Sequence, residues 1–134
     1  MPTDTDWTLL ADAARAAGAN AYAPYSRFAV GAAVLAADGR VFTGCNVENA
    51  SFGLTVCAER NAIAQAVAAG VRDIVAVCVH TPTAEPTPPC GACRQVILEF
   101  GRAEVMSACA SGATRRWSAQ DLLPGAFELA PPRA

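Results

Sequence analysis

Hydrophobic and polar positions along this chain switch between two periods. Trp7, Leu10 and Ala14 recur at helical spacing within residues 6–20, and Gly18 with Asn20 supplies a stop, so a first helix is predicted there. After the connector "YAPYSRF", two β-prone runs, Phe28–Leu35 and Val41–Val47, flank Asp38-Gly39, a favoured hairpin turn. "SFGLT" reads as a loop. Cys57–Ala69 reads as an alanine-rich helix ended by Gly70. Asp73–His80 is a continuous apolar run, as expected of a central strand covered on both faces. The proline-rich loop "TPTAEPTPP" leads into a helix over Cys90–Phe100, stopped by Gly101. "AEVMSACA" predicts a further strand, "WSAQDLL" a short helix with Ser118 as N-cap, and "PGAFELAPPRA" a tail.

Strands alternating with helices after an initial hairpin predict an α/β fold, a mixed sheet between helices. The 134 residues are expected to form one domain, and 53% hydrophobic against 16% charged residues suffices for a core. A net charge of −2 without a basic run argues against a nucleic acid polymer as partner. Arg, Asp or Glu interrupts every apolar stretch before the ~18 residues of a membrane span. "MPTDTDWTLL" lacks the basic and apolar regions of a signal peptide, so a cytoplasmic location is expected. All ten basic residues are arginine, which excludes lysine Schiff-base and P-loop chemistry, and the single histidine, His80, excludes any two-histidine plan.

The candidate chemistry sits at two predicted helix starts. "CAER" places Cys57 two residues before Glu59, and "PCGAC" places Cys90 three before Cys93, with both thiols on one side of a first turn. Helix N-termini carry unpaired N–H groups and partial positive charge, which favours the thiolates that zinc requires. Two facing helix starts holding one ion through Cys57, Cys90 and Cys93 would leave a fourth position free, the pattern of a catalytic zinc site. Glu59, a hard oxygen group among soft sulfurs, suits proton transfer at a zinc-activated water. Three thiolates give Zn²⁺ a net charge of −1, and Arg60 donating to sulfur would withdraw some of it. Two other readings stand beside this one. C-x-x-C alone could be a redox dithiol. The three cysteines could form a structural zinc site with a fourth ligand from Cys45, Cys78, Cys109 or His80, although those cysteines lie in apolar strand runs and suit a core.

The segments "YAPYSRFAVGAAVL", "TGCNVENASFG", "CAER", "PCGACRQVILEF" and "LLPGAF" occur in an order that resembles the small zinc-dependent cytidine deaminases of nucleoside salvage. The resemblance implies a three-layer α/β/α sandwich with a mixed sheet of about five strands. It implies one zinc per subunit on Cys57, Cys90 and Cys93, with Glu59 as proton shuttle and Arg60 bonding the ligand thiolates. It further implies that Asn46 and Glu48 hold the ribose 3′-hydroxyl, that Phe28 packs on the pyrimidine, and that Phe127 closes the pocket of a neighbouring subunit in a homotetramer. Asn46 and Glu48 would share a strand face. Phe52 departs from the tyrosine that many relatives carry. The implied reaction is hydrolysis of cytidine and 2′-deoxycytidine to uridine and 2′-deoxyuridine with release of ammonia. The alternatives are deamination of another amino-pyrimidine nucleoside, such as a blasticidin-type antibiotic, and a non-enzymatic zinc-stabilised binding module. Arg94 and Gln95 brace either the site or an interface.

Overall fold

A computed structural model describes residues 5–129. Helix α1 spans Trp7–Gly18, where Asp6 caps the start by accepting from the Leu9 N–H at 3.0 Å. The hairpin strands are β1 (Gly31–Ala36) and β2 (Val41–Cys45), and a single 3₁₀ turn covers Phe52–Leu54. Helix α2 (Ala58–Ala68), strand β3 (Ile74–Thr81), helix α3 (Gly91–Glu99) and strand β4 (Glu104–Cys109) follow. Strand β5 (Thr114–Ser118) and the short helix α4 (Ala119–Leu122) close the order, with Ser118 accepting from the Asp121 N–H as its predicted cap.

The five strands form one sheet in the order β2-β1-β3-β4-β5. Only β3 and β4 pair in parallel, and α3 connects them. The sheet is therefore mixed, as predicted. Its fifth strand was not legible in the sequence: "TRRWS" is largely exposed and lacks the apolar alternation that marks a strand. Its arginines instead lie over tryptophans, Arg115 on Trp117 and Arg116 on Trp7, at 4.9 and 5.2 Å.

Two cores lie on opposite faces of the sheet. Leu10 and Ala14 of α1 pack against Ala33, Ala76, Cys78 and Met106 on one side. The other side holds α2, α3 and α4 over Ala32, Val34, Val77 and Val105. That gives the expected three layers. Cys78 is a core residue under α1, where burial pushes its thiol up to about 12.

Two glycines let helices approach the sheet closely. A Cβ on Gly31 would stand 1.8 Å from the Ala14 carbonyl oxygen, and one on Gly44 would stand 2.5 Å from the Ala62 nitrogen. The second contact sets how deep α2 sits, and Asn61 and Gln65 fix it there by donating to the Cys45 and Thr43 carbonyls at 2.8 Å each. Because the atom facing Gly31 is helix backbone, Gly31→Ala must shift α1 bodily. The expected cost is about 1–3 kcal/mol, read as a lowered urea midpoint with unchanged slope.

Candidate metal centre and active site

Cys57 is the N-cap of α2 and Cys90 the N-cap of α3, and neither uses its side chain to cap. Both thiols are thus released to the space between two helix starts. Cys93, one turn further along α3, is fully buried beneath them. All three sulfurs lie within 4.8 Å of one another, and Cys57 and Cys90 are 3.8 Å apart. Sulfurs bound tetrahedrally at a zinc–sulfur length of ~2.3 Å would be separated by about 3.8 Å. The donor set and its spacing both fit zinc.

Cys45, Cys78, Cys109 and His80 do not join this cluster among the described residues. Cys109 points its thiol at the Ala84 and Ala113 carbonyls. His80 lies near Arg15 of α1, and burial, then that charge, hold its imidazole below its ordinary value. The proposed fourth protein ligand of a closed structural site is therefore absent from the described residues.

The electrostatics favour one thiolate even without an ion. Hydrogen bonding from Cys93 lowers the Cys57 thiol to about 5 against its burial, with Arg60 and Cys90 adding to the effect. Cys93 is raised in turn, first by that shared hydrogen bond and then by burial. Arg60 Nη2 donates to Cys57 Sγ at 3.6 Å and to the Thr55 carbonyl at 3.4 Å. Glu59, on the first turn of α2, is 4% exposed. Burial, reinforced by the Cys57 charge, raises its carboxyl to about 7, while Arg60 and Cys93 oppose the rise. A carboxyl poised there can take a proton and return it near neutral pH.

The thiols open into a cavity of about 390 Å³. Phe28, Asn46, Glu48, Cys57, Glu59 and Cys90 all line it, together with Ser26, Val30, Thr55, Ala58, Val79, Thr81, Thr87 and Pro88. Nothing local in the sequence singles out Thr81, at the end of β3, or Thr87, in the proline-rich loop that follows. Asn46 and Glu48 reach the cavity differently from the expectation. Strand β2 stops at Cys45, so they do not share a strand face. The Asn46 backbone N–H still donates to the Val30 carbonyl at 3.2 Å, and its side chain adds two bonds, donating to the Phe28 carbonyl at 2.7 Å and accepting from the Val30 N–H at 2.9 Å. The Glu48 carboxylate accepts from the Tyr25 and Ser26 N–H groups at 2.9 and 3.1 Å and from the Ser26 hydroxyl. Together they clamp the connector around Arg27, whose φ of 58° is otherwise unfavourable.

Phe127 is 73% exposed and lies outside this cavity. It borders a larger groove of about 460 Å³ between the tail and α3, whose lining includes none of the three thiols. Arg94 and Gln95 have structural tasks. Arg94 joins the Pro89 carbonyl, just before Cys90, to the Leu122 carbonyl, both at 2.8 Å. Gln95 donates to the Phe127 carbonyl at 3.0 Å. Phe52 is exposed and meets Tyr25 edge-on at 6.1 Å.

Residues 5–109 match the family described as the cytidine and deoxycytidylate deaminase zinc-binding region. A cytidine deaminase of Halalkalibacterium halodurans is 49% identical over 124 residues, covering 91% of this chain and 94% of that protein. One from Mycobacterium tuberculosis is 47% identical over 129 residues, covering 96% and 94%. The crystal structure of a cytidine deaminase from Burkholderia pseudomallei superposes with a TM-score of 0.88 at 52% identity, covering 92% of this chain and all of that one.

Proposed function

From a chain that belongs to the cytidine and deoxycytidylate deaminase family, we infer hydrolytic deamination of cytidine and 2′-deoxycytidine to uridine and 2′-deoxyuridine, with release of ammonia, in pyrimidine nucleoside salvage. One observation carries the reading beyond membership. Of three thiols at zinc spacing, Cys57 and Cys90 open with the buried Glu59 into one cavity large enough to enclose a pyrimidine, and Cys93 completes the cluster beneath them. Zinc content measured beside the loss of cytidine absorbance tests it. A zinc-free protein, or a zinc protein inert towards both nucleosides, would overturn it.

Cys57, Cys90 and Cys93 would hold the zinc, which supplies Lewis-acid activation of a water. Glu59 is placed to take one proton from the attacking water and deliver it to N3 of the ring, and then to take the proton of the new C4 hydroxyl and deliver it to the departing amino nitrogen, leaving the 4-oxo product and ammonia. Burial suits it to each transfer by matching its affinity for protons to neutral pH. Arg60 steadies Cys57 as thiolate. Phe28 lies against the base, and Val79 and Pro88 line the same cavity and help to exclude water. Asn46 and Glu48 hold the ribose. Asn46 keeps one N–H and one lone pair beyond its two backbone bonds, and Glu48 keeps acceptor capacity on its carboxylate.

Glu48→Gln is expected to raise the Michaelis constant for cytidine at least tenfold with zinc content unchanged, and free cytosine to be a very poor substrate of the parent. Steady-state kinetics with both substrates check this, and efficient turnover of free cytosine would contradict a sugar-holding role.

The 134 residues are read as one domain that works in the cytoplasm as a homotetramer. Among the described residues, no helix is long and apolar enough to cross a membrane. The support for assembly is surface chemistry: Tyr22, Tyr25, Phe52, Leu54 and Phe127 are all exposed, and among the described residues none of the tail lines the cavity. Deleting residues 125–134 is expected to abolish turnover while zinc remains. Light scattering, metal analysis and activity decide it; a fully active monomer would sink the shared-site reading.

A further inference from the structure

Thr83, in the loop between β3 and α3, touches two further threonines, Thr81 at the end of β3 and Thr87 in the same loop. Thr83 donates its hydroxyl proton to the Glu85 carbonyl at 2.6 Å. A hydroxyl has one proton, so Thr83 can only accept from its other neighbours. Thr81, at 2.7 Å, and Thr87, at a longer 3.3 Å, are accordingly assigned as donors to Thr83. Both of those residues line the cavity beside Pro88 and Cys90. With their protons spent on Thr83, their oxygens have only lone pairs to offer a ligand.

The anchor is itself immobilised. The Thr83 carbonyl accepts from the Ala110 N–H at 3.1 Å, and the Ala84 carbonyl accepts from the Ser111 hydroxyl at 2.8 Å. The loop is thus pinned to the end of β4 by bonds independent of the Thr83 side chain.

We propose that Thr83 is a positioning residue that fixes Thr81 and Thr87 as an acceptor-only wall for the 4-amino group of the substrate and for the ammonia it becomes. The proposal rests on the deaminase reading and deepens it. The reacting carbon must lie at the thiol end of the cavity. Thr81 and Thr87 line the cavity together with Cys57, Glu59 and Cys90, and Thr87 stands three residues before Cys90 in the chain, whereas Ser26, Asn46 and Glu48 are bonded to the connector. A 4-amino group donates hydrogen bonds; the 4-oxo group of the product accepts them. An acceptor-only wall therefore favours substrate over product and repels the newly formed carbonyl, which promotes its release.

The test uses zinc-loaded enzyme and compares the Michaelis constant for cytidine with the dissociation constant for uridine, the latter by calorimetry. Thr83→Val keeps the shape but frees the Thr81 and Thr87 protons to turn into the cavity. The expected result is weaker cytidine binding, tighter uridine binding, and a fall in discrimination of roughly tenfold, one hydrogen bond changed in sign. Thr83→Ser should restore the parent ratio. Thr87→Val, on the partly exposed loop, removes one acceptor and should weaken cytidine, with uridine tightening less than in Thr83→Val because a repulsion is lost and no donor is gained, which keeps the test decisive if Thr83→Val misfolds. An unchanged ratio in Thr83→Val, a serine variant that behaves like valine, or a Thr87→Val enzyme with the parent constants would overturn the proposal. Failure of the parent itself to deaminate cytidine would instead overturn the underlying deaminase reading.

Discussion

Glu59→Gln is expected to retain zinc and fold while turnover of cytidine falls by ~10²–10⁴ or more, the usual cost of removing a general acid–base group. The upper end is expected because one carboxyl serves several transfers in succession. Glutamine keeps the size and can still donate and accept hydrogen bonds, but it cannot carry a proton between water and base. Metal analysis and steady-state rates check this; a variant with near-parental turnover would remove Glu59 from the mechanism. A second readout needs no substrate. In the metal-free protein, burial raises the Glu59 carboxyl from 4.5 to about 7. A folded-state value above the unfolded one means that its contribution to stability is complete below about 4.5 and is lost as pH rises through about 7. Relative to its behaviour in acid, the metal-free glutamine variant should thus gain up to about 3 kcal/mol over the metal-free parent above neutrality. Denaturant midpoints of both proteins at several pH values measure the difference. A difference independent of pH would show that the carboxyl is not buried as described.

Cys93→Ala should lose zinc and much of the stability of the loaded protein. Cys93 is the buried member of the cluster and lies among the first residues of α3, so its loss takes a ligand and opens a hole beneath Cys57. Changing a group that merely supports a ligand costs ~10–100-fold in metal affinity, and removal of a ligand is expected to cost more. Since metal binding favours the folded state, the thermal midpoint should fall in parallel. Cys78→Ala is the contrast. It lies across the sheet under α1, and its loss should cost packing alone, with zinc and activity retained. Metal content and melting curves of both variants decide the matter. Loss of zinc from the Cys78 variant would mean that the metal is held elsewhere.

Much of this was fixed by local rules. The helix starts at Cys57 and Cys90 were legible because caps, prolines and terminal glycines are short-range signals. The central strand was legible because Ile74–Thr81 is buried on both faces, which only a continuous apolar run can satisfy. The C-x-x-C spacing needed only the helical repeat to bring two sulfurs together. Other features depended on distant partners. Strand β5 is an exposed edge whose pairing comes from β4, so "TRRWS" carries no pattern of its own. Asn46 and Glu48 were identified by resemblance, but their tie to the connector follows from where Phe28 and Ser26 are brought, not from strand alternation. The glycines at 31 and 44 look alike in sequence to those in turns; only the helices crossing them make a single methyl group intolerable. The meeting of Cys57 with Cys90, 33 residues apart, likewise depended on α2 and α3 packing on one face of the sheet. Sequence determined which atoms were available for chemistry, because residue type and helical spacing are local. Tertiary structure decided which of them share one dry cavity, because burial and long-range hydrogen bonding belong to the packed chain as a whole.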